Sequence, residues 1–211
     1  MSRLCAIFKS MLKDVLLDPG KSFASAEQAP RVFQSILTAT AVMLIDGFIA
    51  AFLLWYLGLR PVSISTETFG VVEVTRGLAL GVYAWGAFLR LIAYPLTFHG
   101  VAILLGARAR LSVGFETHSR LTSSIFLVHL IGSTLALVWP MSLVWKLSAS
   151  VWGAWQIFVG AWGVWLHVRL ARGVYGLSAG SAVFSIIVSV ALTVLQYAAV
   201  LTTLPGFPGR N

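Results

Sequence analysis

Two fully charged side chains lie deep inside long apolar stretches of this sequence, Asp46 in the first stretch and Arg90 in the second. A single charge at the centre of a lipid bilayer costs at least ~2.5–3.5 kcal/mol, so opposite charges at that depth are expected to pair. The sequence therefore predicts an Asp46–Arg90 ion pair, with the hydroxyl of Tyr83 or Tyr94 as a further partner. Such a pair either locks the register of two helices or belongs to a polar functional site. The register lock is favoured, because the apolar stretches contain no other acidic residue.

Three histidines, His99, His129 and His167, fall toward the same end of the predicted helices. Three imidazoles can hold a metal ion, but these come from three different stretches and their spacing matches no ligand motif. Hydrogen bonds across helix interfaces explain them better, because polar side chains in lipid seek partners on neighbouring helices. The sequence thus predicts neither a metal site nor a cofactor.

Each apolar stretch carries one stripe of small and polar residues, which is what close helix packing requires. The same stripe would also line a polar cavity, so the pattern alone does not separate these two roles. The candidate buried polar residues are Asp46, Arg90, Tyr83, Tyr94, His129, Gln156, His167 and Gln196.

Sequence signatures of catalysis are absent, since no HExxH, GxSxG, P-loop or GxGxxG pattern is found. We therefore predict no catalytic residue and a protein that is not an enzyme. An unrecognised membrane enzyme would need activity that depends on His129 or His167.

Five apolar stretches must position these residues, and they cover Ile36–Leu57, Leu78–Gly106, Leu121–Leu143, Val151–Val168 and Leu177–Leu201. Each is about as long as a helix needs to cross a hydrocarbon core of ~30 Å. Hydrophobic residues make up 58% and charged residues 10% of the 211 positions. A soluble domain of this length has too little interior to bury five such stretches. The predicted fold class is an all-α integral membrane protein with five transmembrane helices.

The net charge of +8 indicates an orientation in the membrane better than it indicates nucleic-acid binding. With the N-terminus in the cytoplasm, ten Lys and Arg residues fall on the cytoplasmic side and four on the other side. Cytoplasmic loops accumulate Lys and Arg. The count therefore predicts a cytoplasmic N-terminus and a C-terminus on the opposite side.

The first residues predict a short amphipathic helix that precedes the first span. Within residues 4–17 the apolar side chains recur at helical spacing. Ile7, Phe8, Met11 and Leu12 lie on the apolar face, while Lys9 and Lys13 lie on the polar face. Such a helix is expected to lie on the membrane surface, although a helix that docks on a partner has the same pattern. We divide the chain into a cytoplasmic arm, residues 1–32, and a transmembrane domain, residues 33–205.

The connections and one proline add further expectations. Residues 58–76 predict an external loop with a small hairpin, and the other, short connections predict that consecutive spans are antiparallel neighbours. Pro95 and the length of the second stretch predict a kink or a strong tilt in the second span. In the fourth stretch, the glycines (Gly153, Gly160 and Gly163) are expected to face inward and the tryptophans to face outward.

Three sequence elements, together with the number of spans, resemble the Yip family of Rab-interacting membrane proteins. The segment Leu16–Phe23 (LLDPGKSF) is similar to the P-x-x-x-F element that precedes the first span in compact, bacterial-type members. The segment Leu104–Arg108 resembles the family's L-L-G followed by a basic loop. The end of the fourth span, within Trp165–Ala182, contains GVYGLSAGSA, which is similar to the family's G-L and L-S junction.

This resemblance implies a five-span fold with a cytoplasmic N-terminus, in a bacterial inner membrane for members of this compact type. Eukaryotic members bind Rab GTPases, partly through a long N-terminal region. This chain has a short arm and lacks their D-L-x-G-P element, so a Rab-type GTPase is not an expected partner.

We expect a non-enzymatic organiser or interaction protein of the membrane. Its expected partners are the lipid bilayer and other membrane proteins or further copies of the chain. The alternative, from a different class, is a small transporter or channel component that uses the Asp46–Arg90 region.

Overall fold

The computed structural model describes Phe23 and residues 31–56, 64–66, 70–72, 85–138 and 145–201. Within these residues it contains five long helices, α1 (Val32–Tyr56), α2 (Trp85–Leu104), α3 (Leu111–Val138), α4 (Trp145–Gly173) and α5 (Ala179–Leu201). Strands β1 (Ile64–Thr66) and β2 (Gly70–Val72) pair antiparallel, with Ser65 opposite Val71. The small hairpin predicted between the first two spans is therefore confirmed, and the protein is largely helical.

Two of the described helices, α2 and the Ala179–Ala199 part of α5, are long and apolar enough to cross a membrane. A shorter apolar segment, Val32–Phe48, forms most of α1. Only 28% of the α2 window and 22% of the α5 window is buried inside the protein, whereas the core helix of a soluble protein would be mostly buried. These two helices thus have the length, composition and exposure of membrane spans.

The third and fourth helices begin earlier than the apolar stretches predict. Helix α3 starts at Leu111, ten residues before the predicted start at Leu121, and α4 starts at Trp145 instead of Val151. The added first turns of α3 carry Glu116, His118 and Arg120. Hydropathy missed these turns because their side chains are polar, although the backbone is helical.

The helices pack in the order α1, α3, α4, α5 and α2, and α2 also contacts α3. Consecutive helices are neighbours for α3–α4 and α4–α5, as expected. Helix α1, however, packs most extensively on α3, and its contacts with α2 in the described part of the chain lie at a short π-helical turn. The connection between α1 and α2 covers residues 57–84, which is long enough to let these two helices separate.

Glycines cap the ends of α2 and α4, and a serine caps the start of α5. Gly106 has a φ of +88° and Gly176 a φ of +66°, a left-handed conformation that glycine adopts without steric cost. The N–H of Ala107 donates to the carbonyl of Ala102 at 3.0 Å, which closes a Schellman cap around Gly106. Ser178 caps α5, because its side-chain oxygen accepts from the N–H of Ser181 at 3.2 Å. We call the end of the bundle that carries these two loops the loop end.

Helix α2 contains a π-helical turn at Leu89–Ala93, directly before Pro95. The N–H of Tyr94 donates to the carbonyl of Leu89, five residues earlier. Proline has no N–H to donate to Leu91, so the regular ladder is broken there, and the extra residue of the π turn absorbs the change. This π turn also contains Arg90.

The buried apolar residues form two clusters. The larger lies at the loop end and includes Phe23, Phe98, Leu121, Leu166 and Leu170. The smaller lies between α1, α2 and α3 and consists of Ala39, Val42, Met43, Leu91 and Phe126. Phe23 is 3% exposed, so the arm is attached to the bundle at this residue.

The predicted faces of α4 hold only in part. Gly163 is buried, and a Cβ there would lie 3.2 Å from Ile125. Gly160 is exposed, contrary to the prediction. Trp155 packs inward, because its indole lies where a Cβ of Gly132 on α3 would be, 2.6 Å from the nearest ring carbon Cε2. A glycine on the neighbouring helix makes room for this tryptophan, and the sequence of α4 alone contains no sign of it.

Candidate functional sites inside the bundle

A polar pair joins α1 to α3 in the middle of the bundle. Nδ1 of His129 lies 2.9 Å from Oδ1 of Asp46. The carboxylate can only accept, so Nδ1–H of the imidazole donates. The side chain of Asp46 is 6% exposed and that of His129 is 26% exposed. Asp46 is thus buried with a hydrogen-bonded partner, as a carboxylate removed from water requires.

Arg90 does not pair with Asp46. Its guanidinium carbon lies 5.0 Å from the centre of the Phe126 ring, a cation–π contact, and among the described residues it makes no ion pair. The predicted Asp46–Arg90 pair is therefore replaced by Asp46–His129. The reason is helix order, because α1 packs along α3 and brings the imidazole, not the guanidinium, to the carboxylate.

The Arg90 guanidinium stands one helical turn from the Asp46–His129 pair. Met43 precedes Asp46 by three residues and Phe126 precedes His129 by three residues, and both line an open groove beside Arg90. The groove has a volume of about 390 Å³. We call it the Arg90 groove, and its other lining residues are Gly86, Ala87, Leu89, Thr193, Val194 and Tyr197.

A second polar contact joins α1 to α3 at the loop end. Glu116, which is fully buried, accepts from the backbone N–H of Arg31, where α1 begins, and also pairs with Arg120 one turn along α3. A carboxylate at this place satisfies a free N–H and complements the positive end of the α1 dipole. Glu116 and His129 are thirteen residues apart, about 20 Å along α3. Helix α1 is thus held to α3 at two polar points.

The sequence prediction missed Glu116, because the third span was expected to begin at Leu121. The predicted spans contain Asp46 as their one acidic residue, whereas the observed helix α3 begins before Leu121 and contains Glu116 as well. The available signal was the pair Glu116 and Arg120, which are four residues apart and therefore face each other on a helix.

Six aromatic side chains form a cluster at the loop end, between α2, α3, α4 and the α4–α5 loop. We call it the ring cluster, and its members are Tyr94, Phe98, His99, His118, His167 and Tyr175. Phe98 and His118 have ring centres 4.9 Å apart, Phe98 and Tyr175 5.3 Å, and Tyr94 and His167 5.4 Å. These three pairs meet edge to face, the geometry that aromatic quadrupoles favour.

Two of the histidines are held in the same way by their own helices. Nδ1 of His118 donates to the carbonyl of Gly114 at 2.8 Å, and Nδ1 of His167 donates to the carbonyl of Gly163 at 2.8 Å. The carbonyl can only accept, so the proton of each neutral ring is on Nδ1 and its Nε2 is an acceptor. The Nε2 of His118 is buried without a hydrogen-bond partner.

His118 is the histidine that the sequence prediction omitted. Both rings stand at the end of a Gly-x-x-x-His element, Gly114–His118 and Gly163–His167. A glycine four residues earlier leaves its carbonyl open to the imidazole. This repeated spacing was the signal in the sequence, and it also accounts for two glycines on inward-facing positions.

Tyr175 closes the ring cluster from the α4–α5 loop. Its hydroxyl lies 3.4 Å from Nδ1 of His99. The same hydroxyl lies directly over Gly114, so a Cβ on residue 114 would overlap it. Burial raises the pKa of this phenol above its ordinary value, because the phenolate would lose its hydration. Tyr175 is therefore a neutral hydroxyl, and it holds the loop against α2 and α3.

The histidines that the sequence singled out fall into two groups. His99 and His167 belong to the ring cluster, whereas His129 lies on Asp46. Among the described residues no three His, Cys, Asp or Glu side chains stand close enough to hold a metal ion.

The other predicted polar residues are spread over the bundle. Tyr94 lies in the ring cluster and not beside an Asp46–Arg90 pair, and Gln196 is exposed on α5. Tyr83 and the side chain of Gln156 lie outside the described residues, as does the predicted surface helix with Ile7, Phe8, Lys9, Met11, Leu12 and Lys13.

Searches for related proteins find no matching family model, no matching curated protein and no matching solved structure.

Proposed function

We propose that this chain is a five-span membrane protein of the Yip type, which acts as a non-enzymatic organiser of other proteins in a bacterial inner membrane. Its N-terminus and the loop end lie in the cytoplasm and its C-terminus lies on the other side. Residues 1–32 form the cytoplasmic arm and residues 33–205 the transmembrane domain.

One observation carries the proposal: the two buried carboxylates among the described residues tie one helix to another or to a helix end. Asp46 bonds His129 across α1 and α3, and Glu116 bonds the first N–H of α1. Carboxylates that are hydrogen-bonded to other helices stabilise the fold and are not available for chemistry on a substrate. An interaction protein needs such a rigid bundle, whereas an enzyme needs a reactive group next to a substrate pocket.

Two further features support the assignment to a membrane and to this family. Large apolar side chains on α1 and α5 are exposed, among them Phe48 (73% exposed), Ile187 (61%) and Leu195 (64%), which is the surface that lipid favours. The glycines and the serine of the family-like segments, Gly106, Gly176 and Ser178, cap helices at the loop end. A capping role explains why a family would share these residues without sharing an activity.

The test of topology uses reporters of cytoplasmic and external location, fused separately at Met1 and at Asn211. Opposite signals from the two fusions are the expected result. Signals from the same compartment would contradict the five-span arrangement.

The test of the organising role is a pull-down from native membranes in mild detergent. It compares the full chain with one that lacks residues 1–18. This truncation keeps Phe23, which is buried in the cluster at the loop end, so that a lost partner is not confused with a damaged bundle. We expect a defined set of membrane proteins, or tagged copies of the same chain, to be recovered with the full chain and lost with the truncation. Recovery that is equal for both would contradict a role for the arm.

A small transporter is the second candidate, and the Asp46–His129 pair is the observation that favours it. A carboxylate and an imidazole in contact at membrane depth are able to exchange a proton. Purified protein in liposomes should then carry a pH-dependent flux that Asp46→Asn abolishes. Absence of any flux above that of empty liposomes supports the organiser.

A further inference from the structure

The Arg90 groove contains a cation that has no counter-ion among the described residues. Among the described residues the guanidinium contacts the ring of Phe126 and no carboxylate, and the nearest buried acid, Asp46, is bonded to His129. Arg90 is exposed toward the groove. An unpaired arginine inside a membrane is costly, so such residues almost always have a charged or polar partner.

The groove offers one more hydrogen-bond donor and an apolar wall. Tyr197 lines it, and its hydroxyl makes no hydrogen bond to any residue that the structure describes. The hydroxyl proton of Thr193 is already donated to the carbonyl of Ser189 at 2.7 Å. Around Gly86 no atom of the described residues lies within 4 Å of where a Cβ would be, so this part of the structure leaves open space on the wall beside Arg90.

The depth of the groove indicates which surface of the membrane it approaches. Arg90 precedes Gly106 by sixteen residues, so it lies about 24 Å from the loop end. Tyr197 follows Ala179 by eighteen residues, which is about 27 Å along α5. A hydrocarbon core of ~30 Å that begins at the loop end places both groups in its far half, from which a long arginine side chain reaches toward the headgroups of that leaflet.

We infer that the Arg90 groove binds one anionic phospholipid of the leaflet opposite the loop end. The guanidinium donates to the lipid phosphate in the bidentate geometry that arginine and phosphate favour, and the Tyr197 hydroxyl donates to the same group. An acyl chain lies in the open space beside Gly86. The inference rests on the proposed function, because it requires α2 and α5 to cross the membrane.

The experiment measures lipid retention. Protein purified in mild detergent is mixed with phosphatidylglycerol or with phosphatidylcholine, and native mass spectrometry counts bound lipids. We expect the wild type to retain one phosphatidylglycerol in preference to phosphatidylcholine. Arg90→Gln should lower that retention about tenfold, as the loss of one charged hydrogen-bonding group does, and Tyr197→Phe should lower it less.

Two matched variants separate the groove from general attraction of lipids by charge. Gly86→Leu leaves Arg90 in place and fills the acyl-chain space, so it should also lower retention. Arg169→Gln removes another exposed arginine, whose guanidinium carbon lies 5.2 Å from the centre of the Trp165 ring at the loop end, and it should leave retention unchanged. Equal losses from Arg90→Gln and Arg169→Gln, or retention unaffected by Arg90→Gln, would overturn the inference.

A competition distinguishes a lipid site from a site for small anions. Inorganic phosphate or glycerol phosphate in millimolar excess should not displace the bound lipid, because neither carries acyl chains. Displacement would overturn the lipid assignment. The reporter fusions at Met1 and Asn211 decide the topology independently, so opposite signals combined with retention that does not depend on Arg90 would remove the lipid site alone.

Discussion

Buried polar groups find hydrogen-bond partners differently in two regions of the bundle. These regions are the ring cluster at the loop end and the Asp46–His129 pair in the middle. In the ring cluster, His118 and His167 bond carbonyls of their own helices, so that ring faces and edges make the contacts between helices. In the middle, the hydrogen bond itself crosses from α1 to α3. Packing of rings therefore joins α2, α3 and α4 at the loop end, whereas one directional bond joins α1 to α3 farther along α3.

This difference predicts which region contributes more to stability. Shape-matched rings lose many contacts when one is removed. Polar bonds between membrane helices contribute only about 0.6 kcal/mol on average, because an unfolded membrane helix also finds partners. The loop end should therefore dominate the free energy of unfolding, and the pair should dominate the choice of helix register.

The largest effect is expected from Phe98→Ala. Phe98 lies on α2 and is fully buried against His118 of α3 and Tyr175 of the α4–α5 loop. The loss of contacts and the cavity left behind should lower the free energy of unfolding by about 3–5 kcal/mol. Unfolding by a denaturing detergent in mixed micelles measures it. Phe184→Ala is the matched control, because Phe184 is 54% exposed on α5, and it should cost far less. Equal costs would mean that the loop end is not the stable region.

Glu116→Ala should come next, because it leaves the Arg31 N–H and the Arg120 guanidinium without their buried acceptor. We expect a loss of about 2–4 kcal/mol, in the range for breaking a buried charged contact. Glu116→Gln keeps an acceptor oxygen and should lose about half as much. If alanine and glutamine behave alike in the same unfolding measurement, the carboxylate does not bond the start of α1.

Gly114→Ala tests how tightly the ring cluster is packed. The added methyl group overlaps the Tyr175 hydroxyl, and overpacking of this kind costs about 1–3 kcal/mol. Tyr175→Phe should rescue much of the loss, because without the hydroxyl the nearest atoms, Nδ1 of His99 and Cζ of residue 175, lie 3.3 and 3.4 Å from the new methyl group. Gly100→Ala, where nothing lies within 4 Å of a Cβ, is the control. No rescue in the double variant would show that Tyr175 is not above Gly114.

A double-mutant cycle tests the partner of Asp46. Asp46→Ala and His129→Ala should show a coupling energy of about 1–2 kcal/mol, near the upper values measured for polar contacts between membrane helices. The matched cycle of Asp46→Ala with Arg90→Ala should show a coupling energy near zero. A larger coupling with Arg90 than with His129 would restore the ion pair expected from the sequence.

The smallest effect is expected from Tyr175→Phe alone. Its hydroxyl makes one long contact, 3.4 Å to Nδ1 of His99, so its removal should change the free energy of unfolding by about 0.5–1 kcal/mol or less. The ring remains and continues to pack on Phe98. A loss as large as that of Phe98→Ala would mean that the hydroxyl, and not ring packing, holds the loop.

The residue pattern indicates most of the helices in the bundle, but it does not indicate which polar side chains pair between them. The small hairpin follows from local residue types, and it is present. The predicted start of α3, Leu121, lies ten residues after the observed start. Hydropathy depends on the polarity of side chains such as Glu116 and His118, and it does not indicate whether their backbone is helical. The Asp46–Arg90 prediction failed because equal depth in a membrane says nothing about which helices are neighbours.

Composition and periodicity by themselves determined that this chain builds long apolar helices and that a charge within them needs a partner. These follow from hydropathy and from the cost of a polar group in lipid, which each segment carries with it. Only the tertiary structure decided that Asp46 bonds His129 and that Arg90 faces a groove. It also decided that the ring of His118 packs against those of His167 and Tyr175. Such contacts depend on the order and rotation of packed helices, which arise from many weak interactions at once and are not written in any single segment.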